Sequence, residues 1–353
     1  MAANVRNIAR RAGVSTATVS RVIHKSDSVR PETRRRVEEA MAALGLDPAD
    51  LVRGTRSGSK VIGVIIPDLS NGFFAEVIAG IEPAAAEQGF SLFICNSRQS
   101  DQEEIHFLRL LQKAQVSGII ITPNSDDDDS INNEYLNLLS NMRIPIVLVD
   151  RDVKYSNLDG VFIDNRRGAY EATRLLLENG HRRIAAICGP MDTVPGRDRL
   201  TGYRDAFAAA GLPVEEELVY YGDFSVESGE AITRSILRRR PDVTAIFPAN
   251  NLMTLGCLAA LTRTGRRIPE EMAVVGFDEV VTLEMLGIAL TVVDRSTHEM
   301  GRQAMKLLAR AMGRKKGDHP AQRVILTPEL KIRGSERYCK EKKETAAEGS
   351  KGE

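Results

Sequence analysis

Beyond Lys60 the chain alternates short apolar runs with stretches of helical periodicity, and this alternation limits the fold more than any other feature. Residues 61–66, 92–95, 118–122 and 146–149 form a first series of apolar runs. Residues 161–163, 183–188, 218–221, 245–247 and 272–276 form a second. Strands that are apolar on both sides and joined by helices belong in parallel sheets covered on both faces. Two series predict an α/β core of two tandem, doubly wound parallel-sheet subdomains. A ligand of such a core sits at the carboxyl ends of the strands, in the cleft between the halves.

The first sixty residues follow another period. Asn4 is placed to cap a helix over residues 5–12, with Val5, Ile8, Ala9 and Ala12 on one apolar face. Gly13-Val14-Ser15 breaks the pattern, and Ser15 suits the N-cap of a second helix over residues 16–23 that buries Val19, Val22 and Ile23. Two short helices joined by a three-residue turn containing glycine are a helix-turn-helix. A third helix starts at Pro31 and runs through Val37, Ala40, Met41 and Leu44 to a Gly45 C-cap. Charge follows the same division. Residues 1–60 hold twelve Lys/Arg against six Asp/Glu, a net of +6, so in a chain of net charge zero the remainder carries −6. A small basic all-α domain ahead of an acidic body points to a polyanion partner for the head alone.

The obvious rival for a doubly wound core is a nucleotide-binding enzyme, which needs GxGxxG or GxxxxGK[ST] after an early strand. The first run is followed instead by Pro67-Asp68-Leu69-Ser70-Asn71-Gly72-Phe73-Phe74, and no nucleophile elbow GxSxG occurs. We therefore expect no catalytic residues and no cofactor. We expect no metal site either, because the acidic run Asp126 to Asp129 lacks the glycine and spacing of a calcium loop. Cys95, Cys188, Cys257 and Cys339 are far apart and read as buried reduced thiols. With neither an eighteen-residue apolar run nor an apolar leader, the expected location is the cytoplasm, with no membrane partner.

The run Ile8-Ala9-Arg10-Arg11-Ala12-Gly13-Val14-Ser15-Thr16-Ala17-Thr18-Val19-Ser20-Arg21-Val22 resembles the headpiece of the lactose-repressor family. The likeness continues in Val29-Arg30-Pro31-Glu32-Thr33-Arg34 and Leu44-Gly45-Leu46-Asp47-Pro48. It implies that residues 1–47 bind double-stranded operator DNA. A recognition helix enters the major groove with its N-terminal residues at the base edges. Those are Thr16 and Ala17 here, with Arg21 one turn later, able to donate two hydrogen bonds to guanine O6 and N7. Ser15, Thr18 and the helix N-terminus suit phosphates. In relatives the linker, residues 48–60 here, becomes a hinge helix on DNA, which adds Val52, Arg53, Thr55 and Arg56 to the expected contacts. Thr55 stands where relatives place a leucine that wedges between base pairs, and Leu46 and Ala49 replace a tyrosine and an asparagine. Gly54 lowers helix propensity by roughly 1 kcal/mol relative to alanine.

Nearly all of residues 61–335 resembles the sugar-binding core of the same family and of periplasmic sugar-binding proteins. The stretches that carry this include Ile66-Pro67-Asp68-Leu69-Ser70-Asn71-Gly72-Phe73-Phe74, Val149-Asp150-Arg151, Gly222-Asp223-Phe224, Phe247-Pro248-Ala249-Asn250-Asn251 and Val275-Gly276-Phe277-Asp278. The implied effector pocket is Asn71, Phe73, Phe74, Asp150, Arg151, Arg197, Phe224, Asn250, Asp278 and Arg295. Phe74 and Phe224 can cover a sugar ring, the aspartates accept from hydroxyls, and the arginines and Asn250 donate to sugar oxygens. The implied subdomains are about 61–162 with 294–323, and about 163–293 with 324–335, followed by a disordered tail at 336–353.

Three departures matter. Asn251 replaces an aspartate, and Pro83 is expected to interrupt the helix that begins at Phe73. Arg295 replaces a neutral glutamine, and a buried unpaired guanidinium is costly. Either Asp294 neutralises it or the ligand brings a carboxylate or phosphate. The opposite facing of neighbours in an extended segment favours the anionic ligand. The resemblance as a whole implies a homodimeric transcriptional repressor, or a tetramer, on a pseudo-palindromic operator, with DNA affinity controlled by a sugar or a sugar acid or phosphate in the core cleft. The alternatives are a phosphoprotein or purine-like corepressor, and a sugar transport protein, which the headpiece disfavours.

Overall fold

In the computed structural model, residues 2–23, 29–44, 60–124, 129–142, 144–313 and 320–337 are described. Three helices, α1 (Ala2–Ala12), α2 (Thr16–Ile23) and α3 (Pro31–Ala42), form the head. Ile8, Val19, Val22, Ile23, Val37 and Met41 close its core, as their helical spacing requires. Asn4 falls inside α1 rather than ahead of it, and Gly45 lies outside the described residues. Gly13 adopts φ +63°, and a β-carbon there would come within 2.8 Å of the Arg36 side chain. That left-handed turn, cheap only for glycine, aims α2 across α1.

The core holds two six-stranded sheets. The first is built from β1 (Val61–Ile66), β2 (Ser91–Asn96), β3 (Gly118–Ile121), β4 (Ile146–Val149) and β5 (Asp159–Ile163). Helices α4 (Gly72–Ala86), α5 (Asp101–Lys113) and α6 (Asp129–Asn141) connect them. The chain then enters the second sheet through α7 (Asn165–Glu178), β6 (Ile184–Cys188), α8 (Val194–Ala209) and β7 (Val219–Tyr221). It continues through α9 (Val226–Arg239), β8 (Ala245–Pro248), α10 (Asn251–Arg263), β9 (Ala273–Phe277), α11 (Val281–Met285) and β10 (Thr291–Asp294). Helix α12 (Thr297–Met312) returns to the first half, where Met300, Ala304, Leu307 and Leu308 pack with α4 and β1. Two short strands end the fold, β11 (Arg323–Leu326) and β12 (Glu329–Lys331).

Strand order is β11-β5-β4-β3-β1-β2 in one sheet and β12-β10-β9-β8-β6-β7 in the other. Every pairing is parallel except β10 with β12. The chain therefore crosses between halves three times, after β5, after β10 and after β11.

These crossings correct the expected boundaries. β11 reaches Leu326 in the first sheet, so residues 324–326 leave the second half, while Asp294 ends β10 and belongs to it. Such end strands carry little sequence signal, because β11 and β12 are short and partly exposed edges. Helix α4 runs through Pro83 to Ala86 instead of stopping, and the Pro83 carbonyl still accepts from Glu87 N at 3.0 Å. Glu336, expected in a disordered tail, is buried, and its carboxylate accepts from the Thr291 hydroxyl and from Gly334 N. Residues 338–353 lie outside the described residues. Among the described residues, Cys95, Cys188 and Cys257 are buried free thiols, and no helix is long and apolar enough to cross a membrane.

Candidate functional site: a recognition helix and an interdomain cleft

On α2 the buried Val19, Val22 and Ile23 fix which side chains face out. Thr16, Ala17, Ser20 and Arg21 are exposed together at the spacing i, i+1, i+4, i+5 of one helical face. Ser15 caps the helix, its hydroxyl accepting from Thr18 N at 3.1 Å, and the Thr18 hydroxyl lies 2.9 Å from the same oxygen. Thr18 is thus drawn back toward the cap, and Ser20, absent from the expected set, takes a place on the outer face. Helical periodicity alone would have found it. Val52, Arg53, Thr55 and Arg56 lie outside the described residues.

In the core, side chains from the strand ends of both sheets meet in a narrow cleft with a free volume of about 40 Å³, open to solvent at its mouth. The first half supplies Asn71, Phe73, Phe74, Asp150 and Arg151, and the second supplies Arg199, Phe224, Asn250 and Asp278. Arg295 enters from the crossing between β10 and α12. Asp150, Phe224 and Asp278 take left-handed backbone, with φ of 65°, 66° and 73°. For Phe224 that conformation is a strained one, of a kind found where a site imposes it. Its ring occupies the space above Gly189, where a β-carbon would sit 2.1 Å from the ring.

Asn71 caps α4, accepting from Phe73 N at 3.0 Å, and its oxygen also accepts from Asn251 Nδ2 across the cleft at 2.8 Å. An aspartate at position 251 could not donate that bond. Asn250 caps α10, accepting from Met253 N at 2.8 Å, and donates to the Phe224 carbonyl at 3.1 Å. Arg199 is buried, its Nε and Nη2 donating to Asn165 Oδ1 at 2.9 and 2.8 Å and its Nη1 to the Ala249 carbonyl, and it stacks 3.8 Å from the Phe277 ring. Burial first, then repulsion from Arg295, lowers Arg199 to about 9, still cationic at neutral pH. Arg151 donates to the Asn124 carbonyl, and burial lowers it as well. Beneath it the buried Glu104 accepts from Asn124 N at 2.9 Å, and burial raises its carboxyl to about 7.

Arg295 is 3% exposed. Its Nη1 donates to Asp150 Oδ1 at 2.6 Å, its Nε to Asp278 Oδ1, and its guanidinium lies 3.7 Å over the Phe73 ring. Burial opposes its charge, but Asp278 and Asp150 outweigh that and hold it above its usual range.

Residues 4–49 match the family described as bacterial regulatory proteins, lacI family, and residues 59–335 match periplasmic binding proteins and sugar binding domain of LacI family. The chain belongs to the LacI family. Its relatives include the transcriptional repressor PurR of Haemophilus influenzae, 34% identical over 94% of this chain and 98% of that protein. A solved complex of the transcriptional regulator CelR with cellobiose covers 94% of this chain and 99% of its own, at 35% identity and a TM-score of 0.71. The lac repressor dimer bound to operator covers 94% and 98%, at 26% identity and a TM-score of 0.72. A DNA-binding helix-turn-helix and a sugar-binding core of LacI-family type therefore share this chain.

Two expectations for the LacI-family core need correction. Arg197 does not line the cleft; it is half-exposed and donates to the Met191 carbonyl at 2.8 Å. Arg199 takes the place, because it shares the buried face of α8 with Gly196, Leu200 and Tyr203. Nor is Asp294 the counter-ion of Arg295. Asp294 pairs with Lys331 at 2.7 Å, and Asp150 and Asp278 neutralise Arg295. The premise for an anionic ligand, a guanidinium without an internal partner, is gone.

Proposed function

We propose that this LacI-family regulator is a homodimer that places two α2 helices on a pseudo-palindromic operator, with DNA affinity set by a sugar or sugar derivative in the core cleft. The observation that carries the ligand reading is a complementary pair of unmet atoms. Asp278 Oδ2 and Arg151 Nε are buried without a hydrogen-bond partner among the described residues, and both residues line the cleft. A hydroxyl-rich ligand offers a donor to the first and an acceptor to the second, and Phe74 and Phe224 offer apolar faces for its ring. Exposed Phe93 and Ile94 on edge strand β2, and Met285 and Leu286 at the end of α11, support a self-association surface.

Two measurements test this reading. A thermal-shift screen of sugars, sugar phosphates and purine bases identifies the ligand class, and a hit confined to purines replaces the sugar reading. Sedimentation at micromolar concentration should give a dimer, and a monomer that still binds a palindromic duplex with full affinity contradicts the assembly.

A further inference from the structure

The ion triad Asp150–Arg295–Asp278 does more than fill the cleft. Asp150 follows β4 of the first sheet, and Asp278 follows β9 of the second. Arg295 lies on a segment that joins the two halves. All three side chains are at most 6% exposed. Each aspartate gives one carboxylate oxygen to the same guanidinium, so the two halves share a cation that belongs to the protein. Of the three arginines that line the cleft, Arg295 takes the carboxylates, while Arg151 and Arg199 are held by carbonyl and amide oxygens.

We infer that Arg295 is a specificity-determining residue: it ties the two halves through Asp150 and Asp278, closes those carboxylates to a ligand cation, and leaves Asp278 Oδ2 to accept from a hydroxyl. The ligand class rests on the sugar reading above; the tie between the halves does not. A cationic ligand meets carboxylates that are already paired, and displacing Arg295 from them would leave a buried, uncompensated ion. A neutral hydroxyl meets Asp278 Oδ2, the oxygen that Arg295 leaves open.

The first experiment needs no effector. Arg295→Ala vacates a guanidinium-shaped space between two carboxylates, so methylguanidinium at millimolar concentration should raise its melting midpoint by at least about 2 °C. Methylurea, the neutral near-isostere, should not, and neither compound should raise the wild type. Equal responses of the variant to both compounds overturn the inference. If Arg295→Ala does not fold, Arg295→Gln and Asp278→Asn are combined. Their destabilisations must fall short of additive, and strict additivity overturns the tie.

The second experiment uses matched neutral and amino sugars on the wild type: glucose against glucosamine, and galactose against galactosamine. The neutral members should shift its melting and the amino sugars should not, and Arg295→Gln should move the preference toward the amino sugar by roughly tenfold, a difference of about one charge pair. Tight binding of an amino sugar by the wild type overturns the specificity role and leaves the sugar reading standing. Failure of every sugar removes the sugar reading, and the methylguanidinium result then decides the role of Arg295 alone.

Discussion

The headpiece and the core solve recognition in opposite ways. On α2 the candidate reading residues Thr16, Ala17 and Arg21 stand in solvent, and the scaffold under them is apolar. In the cleft Asp150, Asp278 and Arg295 are buried, ionised and bonded to one another across two sheets. An exposed arginine waits at little electrostatic expense, because water and salt screen it. A buried one must be matched within the protein, so binding in the core is tied to how the two halves sit. The exposed face of the head suits recognition, and the shared buried cation gives the core the geometry to switch.

The contrast predicts unequal effects. The largest belongs to the core. Arg199→Met should destabilise it by roughly 3 kcal/mol, because Asn165 Oδ1 and the Ala249 carbonyl lose their donor, and ligand affinity should fall at least about tenfold. Arg197→Met, two residues away, should cost about 1 kcal/mol. Urea unfolding of both variants separates the assignments, and equal losses would restore Arg197 to the site.

Next comes a pH dependence of the core. Glu104 is held neutral by burial, its carboxyl raised from 4.5 to about 7, with Asp101 and Arg151 as its charged neighbours. A carboxyl raised on folding contributes stability at low pH that is lost as pH climbs through the folded value. Core stability should therefore decline between pH 5 and pH 8, and Glu104→Gln should remove about 2 kcal/mol of that decline. Melting curves at the two pH values check this; parallel curves for both proteins would show that Glu104 does not carry it.

In the head, Arg21→Ala should weaken the preferred operator by about 1–3 kcal/mol and relax preference at one position per half-site. The core's melting should not change. Arg35→Ala loses an exposed pair with Glu39 and should move operator affinity by no more than about 0.5 kcal/mol. A randomised-site selection distinguishes the two, and unchanged preference in Arg21→Ala would mean that another element reads the bases.

Legibility in the sequence follows the same division. The bounds of α2 and its outward face were readable because helical spacing is local. So is the alternation of β1 to β9, although β5, which opens the second series in the sequence, pairs with β4 in the first sheet. The resemblance points to Arg197, whereas α8 itself carries the signal for Arg199, since Gly196, Leu200 and Tyr203 share its face. The partners of Arg295 were beyond any local pattern. They lie 145 and 17 residues away, on two sheets that meet only because the chain crosses between them three times. Asp294 was the neighbour in sequence, and Lys331 on the antiparallel β12 drew it elsewhere.

Occupancy of the core cleft is expected to alter DNA binding by the head. Anisotropy titration of a labelled operator duplex, with and without a saturating sugar from the thermal screen, tests it most directly. The sugar should change operator affinity by roughly 5–150-fold, the range of ordinary allosteric coupling. A sugar that raises the core's melting temperature and leaves the operator titration unchanged would contradict it.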